Sequence, residues 1–347
     1  MFFVKCGLSK NSYPLVVSSR SYRFGQGRRA TPSGYYVHPK WFDQKILGQS
    51  KTVEIFNQDA KSCLKNRFFD EEDLRQKALI NRVEKIEVLL EKSFPKSEDK
   101  LLMMNAKFST PDDCAKHVGE LLTNRSALAV VDDQHYWHMH QPLEKSCNLR
   151  LLHFKHKDVM PVNEAFWRSC SMILASVISR AFKDDYSIEI ISPLMSDVRS
   201  GSFVCDVKIS SLSNWNPTED EKRILTSLLW EEIHKNLTFE RLKVSKEFAS
   251  KLFKDSKFHL ERLEKSKNDE VVVYRVGDYI EMSELPLISR TSQISTMFLS
   301  AIYPLKTSSG EFYRFQGIGM PSELSVNPFV FSLIREKSAK LNSTGLN

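Results

Sequence analysis

The stretch Phe166–Phe182, FWRSCSMILASVISRAF, constrains this chain more than any other. Apolar and small residues occupy nearly every side of the helix it would form. Its most apolar part, Met172–Ile178, is far too short to cross a bilayer. Such a helix has to be packed inside protein. A chain of 347 residues is long enough for two or three domains with real cores. With 41% hydrophobic and 27% charged residues it has the balance of a water-soluble globular protein, and no transmembrane segment is expected.

Charge divides the chain unevenly. Residues 1–42 hold Lys5, Lys10, Arg20, Arg23, Arg28, Arg29 and Lys40 with no Asp or Glu, and these seven charges equal the whole net charge of +7. A charge-neutral body behind a basic, acid-free, Ser-containing N-terminus is a mitochondrial targeting pattern. Pro14 interrupts a long amphipathic helix there, and a basic arm on a cytosolic protein stands as the alternative. Residues 1–22 are expected to be a transit peptide, with Arg20-Ser21-Tyr22 as the processing point. The six cysteines, Cys6, Cys63, Cys114, Cys147, Cys170 and Cys205, show no C-x-x-C spacing, so free thiols in a reducing compartment are expected.

Residues 23–50 contain Gly and Pro without periodicity and read as an extended arm. Thr52–Val83 has a helical composition, with Asp70–Asp73 at an expected helix start. Glu84–Leu90 alternates as a half-buried strand, and Lys100–Asn105 is a second strand. Ser109-Thr110-Pro111-Asp112 opens a helix with a capping hydroxyl and Pro in its first turn. Strands follow at Ala127–Val131 and Leu149–Phe154, then a helix at Asn163–Phe182 and strands at Tyr186–Ile191 and Ser202–Ile209. Thr218 and Glu221 have capping-box spacing ahead of a helix at Ile224–Leu237. A helix at Ser245–Asp255, a single strand at Val271–Ile280 and a helix at Asn327–Leu341 complete the reading, which is an α+β chain.

Two of these stretches, together with STPDDCAKHVGELL (Ser109–Leu122) and GSFVCDV (Gly201–Val207), resemble the N-terminal half of threonyl-tRNA synthetases. The resemblance implies a ubiquitin-like β-grasp (TGS) domain over 84–157. It also implies an editing-like α+β domain over 158–321, flanked by extensions at 23–83 and 322–347. In that family the editing site carries a His-x-x-x-His pair on the helix and a Cys followed four residues later by a His. Here those positions are Arg168, Met172, Ser283 and Leu287 in FWRSCSM and GDYIEMSELPLISRT. Arg has no acceptor, and Met and Leu have no ionisable group, so neither Zn²⁺ binding nor water activation is expected. Only 26 residues follow Pro321, so no aminoacylating core is expected. EKIEV (84–88), WRSC (167–170), RAFKD (180–184), GDYIEMSE with PLISRTS (277–292) and RFQG (314–317) resemble a family of mitochondrial large-subunit ribosomal proteins derived from the synthetase. WRSC and RFQG are not synthetase features.

Other candidates are weaker. Ser283 as a nucleophile lacks a base, because Leu287 stands where one would be. His135, His138 and His140 in HYWHMH have no Cys or carboxylate at ligand spacing. They read as an exposed hairpin or as an aromatic and polar contact with RNA or protein rather than as a metal site. Gly317-x-Gly319 lacks the strand–helix context and Lys-Ser/Thr of a phosphate loop. Arg23, Arg28, Arg29 and Lys40 in the arm, Arg150, Lys155 and Lys157, and Lys251, Lys254 and Lys257 are candidate phosphate contacts, with an ordinary solvated surface as the alternative. The resemblance implies a non-catalytic constituent of the mitochondrial large ribosomal subunit, with ribosomal proteins and rRNA as partners and with no metal, cofactor or small-molecule substrate. The rival readings are a matrix RNA-binding regulator and a free-standing tRNA-editing hydrolase.

Overall fold

A computed structural model describes residues 52–92, 98–182, 186–193, 198–210, 215–307 and 310–345. The expected transit peptide and the arm residues Arg23, Arg28, Arg29 and Lys40 lie outside the described residues. The chain is a mixed α+β protein, with three sheets among the described residues.

The first sheet has the order β2-β1-β5-β3-β4 and is built from β1 (Lys85–Leu90), β2 (Lys100–Asn105), β3 (Leu128–Val131), β4 (His135–Trp137) and β5 (Cys147–Leu152). Strands β1 and β5 run parallel, and the other pairs are antiparallel. The alternation in β1 holds: Ile86, Val88 and Leu90 are buried while Lys85, Glu87 and Leu89 face outward. Helix α2 (Pro111–Val118) follows β2 and starts as expected. The Thr110 hydroxyl accepts from Asp113 N, and the Asp113 carboxylate accepts from Thr110 N. The short helix α3 (Glu120–Arg125) continues it. The fourth expected strand is shifted to Cys147–Leu152, and the three-residue β4 precedes it.

The apolar run forms the central helix α4 (Met160–Ala181), in which every residue from Ser169 to Ile178 is buried. It packs on a second, antiparallel sheet of order β11-β12-β7-β6. The strands are β6 (Ile188–Pro193), β7 (Phe203–Ile209), β11 (Ile294–Thr307) and β12 (Gly310–Pro321). Helix α5 (Glu219–His234) lies beside α4, with the Thr218–Glu221 capping box formed as expected. The Gly317-x-Gly319 pair is a packing feature of β12. A Cβ on Gly317 would lie 2.6 Å from the Phe298 carbonyl oxygen, and one on Gly319 would lie 2.9 Å from Cys170 Sγ. One continuous core joins α4, this sheet, and Leu128, Val130 and Leu152 of the first sheet.

The third sheet, β10-β9-β8, comprises β8 (Glu240–Ser245), β9 (Glu270–Val276) and β10 (Tyr279–Met282). The single strand expected at Val271–Ile280 is in fact the hairpin β9–β10. Gly277, at φ +56, supplies the left-handed turn. The helix expected at Ser245–Asp255 is the shorter α6 (Lys246–Leu252), capped by Ser245, and α7 (Lys257–Lys265) follows. Helix α1 (Thr52–Ala78) docks on this sheet through Phe69, and Asp70 pairs with Arg275 at 2.7 Å. Asp70–Asp73 is therefore mid-helix rather than a helix start. Its other carboxylates are satisfied within the helix: Glu71 by Arg67, Glu72 by Arg75 and Asp73 by Lys77. Helix α8 (Pro328–Ser338) begins at the N-cap Asn327. Among the described residues no helix is long and apolar enough to cross a membrane, and Cys114, Cys147, Cys170 and Cys205 are free thiols.

Candidate functional site

The four positions singled out in the sequence fall on the middle turns of α4 and on the segment that leaves β10. Arg168 donates from Nε and Nη2 to the Pro286 carbonyl, at 3.2 and 3.0 Å. Burial pushes its guanidinium pKa down, and Glu164, 3.8 Å away, opposes the shift. One turn on, Met172 is completely buried in the same core as Leu287. Ser169 bridges the two elements: its hydroxyl accepts from Ile288 N at 3.0 Å and donates to Ala165 O at 2.8 Å. Ser283 donates to Leu285 O at 2.9 Å and touches no imidazole, thiol or carboxylate through that hydroxyl. This arrangement has no deprotonatable ligand and no base. Arg168 serves as a clamp on a carbonyl, and the two apolar side chains fill space.

The histidine segment seals the other side of the same loop. His138 is fully buried, and its Nε2 donates to Ile288 O at 3.3 Å. His140 Nε2 lies 3.2 Å from Ser289 O, and Arg290 pairs with the buried Asp112 at 3.0 Å. The exposed part of the expected hairpin is thus only Asp133–Tyr136, at and just after the β3–β4 turn. Strand β4 ends at Trp137, so His138 and His140 turn inward, and their contact is with another part of this chain. Burial first, and then the neighbouring His140, pushes the His138 pKa well below its ordinary value. Among the described residues no group of three or more His, Cys, Asp or Glu is placed to hold a metal.

Two polar clusters went unforeseen. Glu281, fully buried on β10, accepts from His259 Nε2 and from the Tyr279 hydroxyl, each at 2.8 Å, with Arg262 Nη1 at 3.4 Å. Burial pushes its carboxyl pKa up, but these donors outweigh burial and hold it below the usual value. Arg314, buried on β12, makes a bidentate pair with Asp206 at 2.7 Å for both bonds, and donates from Nη1 to Asn342 O and Thr344 O. Gln316, two residues on, donates to Ser338 O and Lys340 O at 2.7 Å each. The RFQG motif, polar residues alternating within an apolar strand, was the visible trace of this cluster. Nothing in the sequence pointed to Glu281.

The basic candidates occupy separate elements. Arg150, on β5, pairs with Asp133 at 2.8 Å, while Lys155 and Lys157 are exposed in the loop beyond it. Lys251 and Lys254 are exposed on and after α6, and Lys257, at the start of α7, lies 3.9 Å from Glu261.

This geometry describes a loop packed between α4 and the histidine segment, held by carbonyl capping and apolar contacts. The chain is 24% identical over 226 residues to a probable cytoplasmic threonine–tRNA ligase of Dictyostelium discoideum, covering 64% of this chain and 30% of that one. It is 26% identical over 205 residues to the threonine–tRNA ligase of Thermotoga petrophila, covering 59% of this chain and 29% of that one. It is 37% identical over 306 residues to the large ribosomal subunit protein mL39 of Drosophila melanogaster, covering 86% of this chain and 91% of that one. No family model matches. The chain belongs to the family of the large ribosomal subunit protein mL39.

Proposed function

We infer that this chain is a non-catalytic structural constituent of the large subunit of the mitochondrial ribosome, docked through protein and rRNA contacts. The observation that carries this is the 37% identity with a large ribosomal subunit protein along 86% of the chain. The site chemistry agrees with it, because Arg168, Met172, Ser283 and Leu287 are engaged in packing and carbonyl capping. On this reading residues 84–157 are a TGS-like β-grasp domain, a reading supported by the five-stranded order with β1 parallel to β5. Residues 158–321 are an editing-like domain without its catalytic groups. Residues 1–22 are a transit peptide removed on import to the matrix, 23–83 an arm and helical extension, and 322–347 a C-terminal helix and tail. Arg23, Arg28, Arg29, Lys40, Arg150, Lys155, Lys157, Lys251, Lys254 and Lys257 are the proposed phosphate contacts.

A sucrose gradient of mitochondrial lysate tests the assignment: the protein should run with the large subunit. Migration at the top of the gradient at low salt, with subunit markers intact, would put a matrix RNA-binding regulator in its place. The purified protein should also carry no stoichiometric zinc and leave seryl-tRNA intact. Deacylation that disappears in Ser283→Ala would restore the hydrolase.

A further inference from the structure

Strand β2 is an edge of the first sheet and carries bare apolar side chains on the sheet's outward face. Leu101 is 63% exposed, Met103 59%, and Leu89, paired with Leu101 across β1–β2, 37%. Natural edges are usually blunted by charge, proline, bulges or cover, and a bare apolar edge marks a surface that gets used.

The backbone says what kind of group fits there. Ala106 N donates to Glu84 O at 2.9 Å, which sets the antiparallel alternation: Met104, Leu102 and Lys100 exchange hydrogen bonds with β1, whereas Leu101, Met103 and Asn105 direct their N–H and C=O away from it. Asn105 is already satisfied, its N–H donating to Ser109 Oγ and its carbonyl accepting from Ser109 N. Among the described residues, the N–H and C=O groups of Leu101 and Met103 have no hydrogen-bond partner. The same two residues therefore offer both bare side chains and open ladder positions, spaced as a strand spaces them. Charge argues against a polyanion: around the patch Lys85 and Lys100 alternate with Glu87 and Asp99, giving no net positive field.

We propose that the open edge of β2 is a strand-addition site that takes an extended, neutral segment of another protein of the same subunit. That segment would bond to the backbone of Leu101 and Met103 and lay apolar side chains over Leu89, Leu101 and Met103. The proposal rests on the ribosomal reading. Residue-resolved hydrogen exchange on the free full-length chain and on intact large subunits tests it. The Leu101 and Met103 amides should exchange freely in the isolated protein and slow by roughly tenfold or more in the particle. Met103→Pro removes an N–H that β1 does not use, so the variant should keep the wild-type circular dichroism and melting temperature yet enter the subunit poorly. If the protein co-sediments with the subunit while both amides stay fast, no strand is added at this edge and the proposal is wrong, although the ribosomal assignment stands. Concentration-dependent dimerisation of the free chain that Met103→Pro abolishes would assign the edge to a second copy and overturn it equally. Failure to co-sediment at all would instead sink the ribosomal reading beneath it.

Discussion

Arg314 is the largest fully buried side chain among the described residues. A guanidinium this buried is tolerable only because a bidentate carboxylate and two tail carbonyls take up its donors. Arg314→Ala should therefore destabilise the protein by about 3–5 kcal/mol, because Asp206 would be left as a buried and unpaired charge. Urea unfolding monitored by tryptophan fluorescence measures it, and Arg314→Ala/Asp206→Ala should recover part of the loss. At this scale the sequence singled out Arg168, Met172 and Leu287, and the structure places them on one helix face and on the loop that packs against it. The sequence was not legible where a residue's partner is distant: Glu281 meets His259 and Arg262 across 22 and 19 residues, and no local pattern encodes that meeting.

Among elements, local rules carried the reading and tertiary contacts corrected it. The caps at Thr110 and Thr218 lie where their spacing placed them, because a cap is satisfied within three residues, whereas Ser245, read as the first residue of a helix, is its N-cap. The acidic run in α1 was misread as a helix start because its partners lie three and four residues away in the helix, or on β9. The β9–β10 turn was missed because Gly277-Asp278 interrupts an otherwise continuous strand composition. The loop 287–293 is held between α4 and the histidine segment, and this gives a pH dependence. His138 and His140 are both pushed below the ordinary value of 6.5, in each case chiefly by burial. As pH falls through about 6.5 the unfolded chain takes up protons that the folded chain refuses. The stability these residues provide is thus full above that pH and lost progressively below it, by at most about 1.4 kcal/mol per pH unit for each histidine. Urea midpoints at pH 7.5, 6.5 and 5.5 should fall in that order. His138→Gln should start lower and fall less steeply, and an equally steep fall in the variant would assign the effect to other groups.

The whole molecule is a charge-balanced body whose net +7 is matched by the seven basic residues before position 43. An attachment made only to phosphates would weaken by roughly one power of salt concentration per phosphate neutralised. A body without excess charge is expected to dock mainly through buried apolar and hydrogen-bonded protein contacts, which salt screens little. In gradients at about 0.5 M salt, where the Debye length lies between roughly 3 and 8 Å, most of the protein should remain on the large subunit. Deleting Arg23–Lys40 should reduce incorporation more than neutralising Lys251, Lys254 and Lys257 together. Wholesale release by salt, or a stronger effect from the three lysines, would shift the weight to rRNA.

The buried anchorage of the tail also bears on rates. Its socket consists of Arg314 and Gln316 on β12, Asp206 on β7, and Ser200 and Ser202, which hold the Asn342 side chain. Because Asp206 and Arg314 face each other only in the β7–β12 register, the socket does not exist until those strands have paired. Residues 338–344 can complete their docking only once those strands have paired, and contacts formed late in folding slow unfolding more than they speed folding. The tail is therefore expected to act as a kinetic latch: deleting it should speed unfolding more than it slows refolding.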